Sequence, residues 1–140
     1  ENERILCAAP AYLAEHGMPS CLDDLKRHRC IAIRERDQEF GRWTLSGPQG
    51  SETIRVSGPL SANNGEMVRQ WAIDGHGIIL RSQWDVERDI AAGRLIRLLP
   101  EYAQKADVWA VYPSRLSTSA RLRVCVEFLE AWFAGEEPGR

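Results

Sequence analysis

Short apolar runs alternate along this chain with stretches whose apolar residues recur at helical spacing, and a Gly or Pro closes most of them. Strand-like and helix-like periods in succession are the pattern of an α/β protein, in which helices cover a sheet. Arg4 to Ala9 reads as a strand, and Pro10 sits where a first helical turn tolerates it, with Gly17 and Pro19 as stops. Leu22 to Leu25 is a helical turn, and Cys30 to Ile33 a strand entering the charged segment Arg34 to Glu39. Arg42 to Leu45 and Thr53 to Val56 alternate apolar with polar side chains around Gly47-Pro48-Gln49-Gly50, which predicts a hairpin. Asn63 is placed to cap a helix, with Glu66 in capping-box position and Met67, Val68, Trp71 and Ala72 on one face before Gly75. Strands follow at Ile78 to Leu80, Leu95 to Leu99 and Val108 to Tyr112, with a helix from Trp84 to Ala92 between the first two. The last element is an amphipathic helix from about Ala120 to Ala134, capped by Thr118 or Ser119. Its stripe is Leu122, Cys125, Val126, Leu129, Trp132 and Phe133. The tail Gly135 to Arg140 reads as frayed and polar. The resulting class is α/β with a mixed sheet.

Charge and composition narrow the function. Eighteen Lys plus Arg against twenty Asp plus Glu give a net charge of −2, where a nucleic-acid-binding module shows a clear basic excess. No apolar run, Gly77 to Leu80 among them, is long enough to cross a bilayer, and the opening Glu1-Asn2-Glu3-Arg4 is no signal peptide. The absence of an initiator Met suggests a piece of a longer chain. Cys7, Cys21, Cys30 and Cys125 form no C-x-x-C pair, so neither a zinc site nor a redox motif is written locally. Cys7, Cys30 and Cys125 lie in apolar stretches and read as buried free thiols. His16, His28 and His76 are well separated, so neither metal nor cofactor is expected.

Catalytic signals are thin. Asp74-Gly75-His76-Gly77 is incomplete as a phosphate loop, and no G-x-S-x-G elbow is present, so the chain does not read as an enzyme. The polar residues of interest stand at element ends. Arg34 leaves a strand end, where α/β proteins bind ligands, although a surface ion pair with Glu35 or Glu39 accounts for it equally well. Asn63 and Asn64 open a helix whose N-terminal N–H groups and dipole suit a carboxylate or phosphate; simple capping by Asn63 is compatible with that.

The ordered string Ile5-Leu6-Cys7-Ala8-Ala9-Pro10-Ala11-Tyr12-Leu13, Gly17-x-Pro19, Asp24-Leu25-x-x-His28-x-Cys30-Ile31 resembles the effector-binding region of LysR-type transcriptional regulators. The resemblance continues through Trp43-x-Leu45, Gly58-x-Leu60-x-Ala62-Asn63, Gly75-x-Gly77-Ile78, Trp84 and Gly93-Arg94-Leu95. It then runs through Leu98-Leu99-Pro100 and Val111-Tyr112-Pro113 to Phe128-Leu129, covering nearly the whole chain.

What the resemblance implies is a type II periplasmic-binding-protein-like fold with an effector in the cleft between two lobes. One lobe with a mixed sheet would be nearly complete and the other partial. Residues 1–11 would be partial lobe I and the first crossover strand, 12–106 lobe II, and 107–140 the second crossover strand and the returning helix of lobe I. The ligand-binding residues would be Arg34, Ser61, Asn63, Asn64, Gly77 and Ile78, with Val111 as a weaker candidate. Their donors suit a small anionic effector, most simply a carboxylate, with Ile78 adding apolar contact. The resemblance further implies a cytoplasmic protein that pairs with itself through the effector domain and touches DNA only through an N-terminal helix-turn-helix absent from this chain. With much of lobe I missing, parts of the apolar stripes would be exposed. The alternative reading is a solute-binding module of a transport system, which shares the fold.

Overall fold

The computed structural model describes residues 2–34, 41–112 and 119–135. It divides into two compact units, Glu1–Asp107 and Val108–Arg140.

The first unit is organised by β1 (Glu3–Ala8), whose residues from Ile5 to Ala8 are buried without a break. An uninterrupted apolar run belongs in a strand with protein on both faces. β1 pairs antiparallel with β6 (Ile79–Ser82), with β7 (Ile96–Leu98) and, at its start, with β8 (Gln104–Lys105). Leu6 therefore faces Leu80 on one side and Leu98 on the other. Alternation along the strand sorts its side chains into two layers. Leu6 and Ala8 join Tyr12 and Leu13 of α1 (Pro10–His16), Leu22 and Leu25 of a 3₁₀ turn (Leu22–Arg27), and Trp43, Leu45 and Ile54 of the hairpin. Ile5 and Cys7 join Val68 and Ala72 of α2 (Gly65–Ile73), Val86 of α3 (Gln83–Ala91) and Leu95. Burial pushes the Cys7 and Cys30 thiols up to about 12.

The hairpin forms as expected from β3 (Arg42–Gly47) and β4 (Gly50–Arg55), with Trp43 opposite Ile54. A parallel pair, β2 (Ala32–Ile33) with β5 (Ser61–Ala62), makes the strand pairing mixed. Just before it, the Arg29–Cys30 backbone is held between two glycines. A Cβ on Gly77 would lie 2.4 Å from the Arg29 carbonyl oxygen, and one on Gly58 would lie 2.1 Å from that of Cys30. Neither position has room for a side chain.

α2 and α3 are joined by an ion network. The Asp89 carboxylate is 1% exposed and receives Arg69 at 2.5 Å and Arg94 at 2.6 and 2.8 Å, while Arg69 also holds Glu66. Burial raises the Asp89 pKa, but the hydrogen bonds from Arg94 and Arg69 outweigh it and leave the carboxyl below its ordinary value.

In the second unit α4 (Ala120–Ala134) is capped by Ser119, whose hydroxyl accepts the Leu122 N–H, and ends at Gly135 with φ 78°. Thr118 and the tail beyond Gly135 lie outside the described residues, as do residues 35–40. Of the α4 stripe only Val126 is buried; Cys125 is exposed, as are Phe128, Leu129, Trp132 and Phe133. The expectation of a buried Cys125 is thus corrected, because nothing covers that helix face within the described residues. Residues 108–112 also depart from the strand reading. They carry no ladder among the described residues, and Val108, Trp109 and Val111 are exposed. A strand exists only with a partner, and periodicity cannot supply one.

Replacing Asp89 by Ala removes the buried carboxylate shared by Arg69 and Arg94, leaving Arg69 only Glu66, and is expected to cost about 3 kcal/mol. Replacing the exposed Asp23, paired with Lys26, should cost less than about 1 kcal/mol. Urea unfolding of the two variants checks both values.

Candidate ligand-binding face

The candidate site residues are assembled by backbone pairing. In the β2–β5 register Ala32 faces Ser61 and Ile33 faces Ala62, and the Arg34 N–H then donates to the Ala62 carbonyl at 2.8 Å. Arg34 and Asn63 therefore emerge together at the C-terminal end of this two-stranded pair, beside the start of α2, while Ser61 opens β5 opposite Ala32. Arg34, Asn63 and Asn64 are exposed and Ser61 half-buried. The acidic neighbours Glu35 and Glu39, weighed as partners for Arg34, lie outside the described residues.

The cap is one residue later than the spacing predicts. Asn64, not Asn63, has extended geometry ahead of the helix, and its Oδ1 accepts from Glu66 N–H at 2.9 Å and Met67 N–H at 3.2 Å. With the cap at Asn64 the third helical position is Met67, so Glu66 stands one residue too early to close a capping box, and its carboxylate holds Arg69 at 2.5 Å instead. The shift has a chemical consequence. Two of the first-turn donors are used by the cap, so donation to a ligand falls to the Asn63 and Asn64 side-chain amides and the Ser61 hydroxyl.

Gly77 and Ile78 lie beneath this face. Ile78 is fully buried within the Leu6 layer, its N–H donates to the Arg29 carbonyl at 2.8 Å and its carbonyl accepts the Ile31 N–H at 2.9 Å. Its side chain therefore packs in the core, away from solvent, and its backbone is spoken for. Val111 lies in the second unit and is 92% exposed.

One cation beside this face escaped the sequence reading. Arg81 is the penultimate residue of β6, and its guanidinium lies so close to Gly65, the first residue of α2, that a Cβ there would be 2.3 Å from Nη1. It pairs with Asp85, and its Nε is buried with no hydrogen-bond partner among the described residues. The available signal was a glycine at the first helical position, where a side chain is ordinarily harmless. No group of three metal-ligating side chains occurs among the described residues.

A sheet covered on both faces, with polar donors at strand and helix ends, is the architecture of an α/β domain. A family model described as the LysR substrate binding domain matches residues 1–134. The chain belongs to that family, the small-molecule-sensing region of LysR-type transcriptional regulators, with a periplasmic-binding-protein-like fold. It is similar to the HTH-type transcriptional regulator DmlR of Escherichia coli K12, 55% identical over 137 residues, which are 98% of this chain and 45% of that protein. The HTH-type transcriptional activator TtdR of the same strain is 52% identical over 132 residues, 94% of this chain and 43% of that one. Among solved structures, the regulatory domain of CrgA, a LysR-type transcriptional regulator from Neisseria meningitidis, is 32% identical. It superposes with a TM-score of 0.72 over 92% of this chain and 64% of its own. The regulatory domain of AphB in Vibrio vulnificus is 26% identical, with a TM-score of 0.73 over 94% of this chain and 65% of its own. The chain spans less than half the length of these curated relatives. They are transcriptional regulators, so a transport module is not favoured. Among the described residues no helix is long and apolar enough to cross a membrane.

The Asn64→Ala variant is expected to lose about 1 kcal/mol through the cap, and Asn63→Ala a few tenths at most. Thermal melts of the pair distinguish the two asparagines.

Proposed function

We propose that the chain is lobe II (residues 12–106) with the flanking parts of lobe I (1–11 and 107–140) of a cytoplasmic regulator's sensor, and that it takes a small anionic effector, most simply a carboxylate. The observation that carries this reading is the β2–β5 pairing, which brings Arg34 level with Asn63 at the start of α2 beside Arg81, with Asn64 next along the chain and Ser61 two residues before Asn63 on β5. Amide, hydroxyl and guanidinium groups supply donors, and the two arginines supply positive charge, which is the complement of a carboxylate. Gly77 and Ile78 serve the site from below, through the seat they form on Arg29, and the Ile78 side chain, buried in the core, offers a ligand no apolar contact.

In this reading the domain binds its effector without transforming it. Its contribution to regulation is a difference in affinity for two arrangements of the parent protein, since a ligand shifts a conformational equilibrium only by that difference. DNA contact belongs to an N-terminal helix-turn-helix of the parent protein, consistent with the −2 charge carried here. Self-association runs through the apolar side chains that α4 leaves exposed, Phe128, Trp132 and Phe133 among them.

Calorimetric titration of short mono- and dicarboxylates into the chain joined to the preceding part of its regulator tests the reading. Arg34→Ala and Asn63→Ala are each expected to weaken binding about tenfold, the cost of one charge-assisted hydrogen bond. Unchanged affinity in both variants would remove the assignment of the site.

A further inference from the structure

Tyr12 is buried between two histidines. Its ring stacks on His16 with centroids 4.4 Å apart and planes at 12°, and the His16 Nδ1–H donates to the Tyr12 carbonyl at 3.2 Å. Its hydroxyl oxygen accepts the Arg29 N–H at 2.9 Å and lies 2.9 Å from Nδ1 of His28. A phenol has one proton to give. Among the described residues His28 Nδ1 is the acceptor that lies within reach of that proton, and it accepts as a neutral imidazole protonated on Nε2.

We propose that the Tyr12–His28 hydrogen bond is an acid-sensitive latch on the 28–31 segment, the seat that supports the proposed ligand-binding face. Protonation of His28 turns Nδ1 from acceptor into donor. Two N–H groups then point at the Tyr12 oxygen, and the buried phenolic proton has lost its acceptor, which is a costly state for a polar group away from water. The strain falls on the Arg29 amide. From there it is one residue to the contacts that fix the seat: Ile78 N–H to Arg29 carbonyl at 2.8 Å, Cys30 N–H to Ser57 carbonyl at 2.9 Å, and Ile31 N–H to Ile78 carbonyl at 2.9 Å. Beyond Ile31 the chain enters β2 and pairs with Ser61. The functional consequence, weaker effector binding in acid, rests on the reading of that face given above; the latch itself does not.

The charged and titratable groups that act on His28 come from the two elements it packs against. Tyr12 and His16 belong to α1, Asp24 and Arg27 to the 3₁₀ turn. Burial is the largest influence and lowers the His28 pKa from its ordinary 6.5; Asp24 opposes that, while His16 and Arg27 add to it. The unfolded chain therefore takes up this proton first. The latch is intact above the ordinary histidine value and is lost as pH falls through the lower value that His28 has in the folded chain.

Amide hydrogen exchange of the full 140-residue chain at about pH 7.5 and about pH 4.5, well below the ordinary histidine range, corrected for intrinsic rates, reads the latch directly. Protection of Ile31 and Ile78 is expected to fall about fivefold at the lower pH, equivalent to one net hydrogen bond, while amides in β1 hold theirs. His28→Gln, whose side-chain oxygen accepts the phenolic proton at either pH, should be flat over this range. Tyr12→Phe should be less protected at both pH values and nearly flat between them. A flat wild-type profile overturns the latch, and so does an equal acid loss in His28→Gln. No ligand enters this measurement, so a failed carboxylate titration would leave the latch standing and remove only its consequence for sensing.

Discussion

A strand with no solvent face governs this domain. β1 is buried from Ile5 to Ala8, so each of its side chains must find apolar cover, and the alternation of a strand sends successive ones to opposite layers. One layer is built by α1, the 3₁₀ turn and the hairpin, the other by α2 and α3. A one-residue slip of β1 would exchange Leu6 with Cys7 and mismatch both layers at once, which is why three antiparallel partners can settle on a single register. The start of α2 and the 77–78 turn owe their positions to this fixed wall.

The two layers are joined differently. The α1 side depends on packing, with Tyr12 as its one prominent polar handle. The α2–α3 side adds the Glu66–Arg69–Asp89–Arg94 network, in which a buried carboxylate is shared by two guanidinium groups from different elements. Such a network contributes geometry more than net stability, because desolvating the charges offsets most of their attraction. Its effect is to set how α2 lies against α3, and hence where the Asn63–Asn64 end of α2 stands relative to Arg81.

Most of the elements can be read from local pattern. The hairpin between Arg42 and Arg55, the helix closed by Gly75 and the amphipathic run to Ala134 each carry their own turn or cap chemistry. The family resemblance came from ordered succession, which is also local information. What escaped depends on partners distant in sequence. Asn64 rather than Asn63 caps α2 because β5 delivers the chain at that angle. Asp89 is buried because Arg69 and Arg94 reach it. Arg81 stands beside α2 because Gly65 leaves room, and Ile78 turns inward because Arg29 and Ile31 engage its backbone. Residues 108–112 look like a strand and have no ladder among the described residues for the same kind of reason: β-propensity describes a half-buried surface, and that surface has to come from somewhere else.

The buried thiols have a use beyond packing. With their pKa pushed up to about 12 by burial, Cys7 and Cys30 hold almost no thiolate at neutral pH and are closed to alkylating reagents, whereas Cys21 and Cys125 are exposed. The four cysteines thus form a built-in pair of clocks. Labelling of Cys21 and Cys125 marks time at the surface, and labelling of Cys7 and Cys30 records how often the sheet and the seat beside it come open.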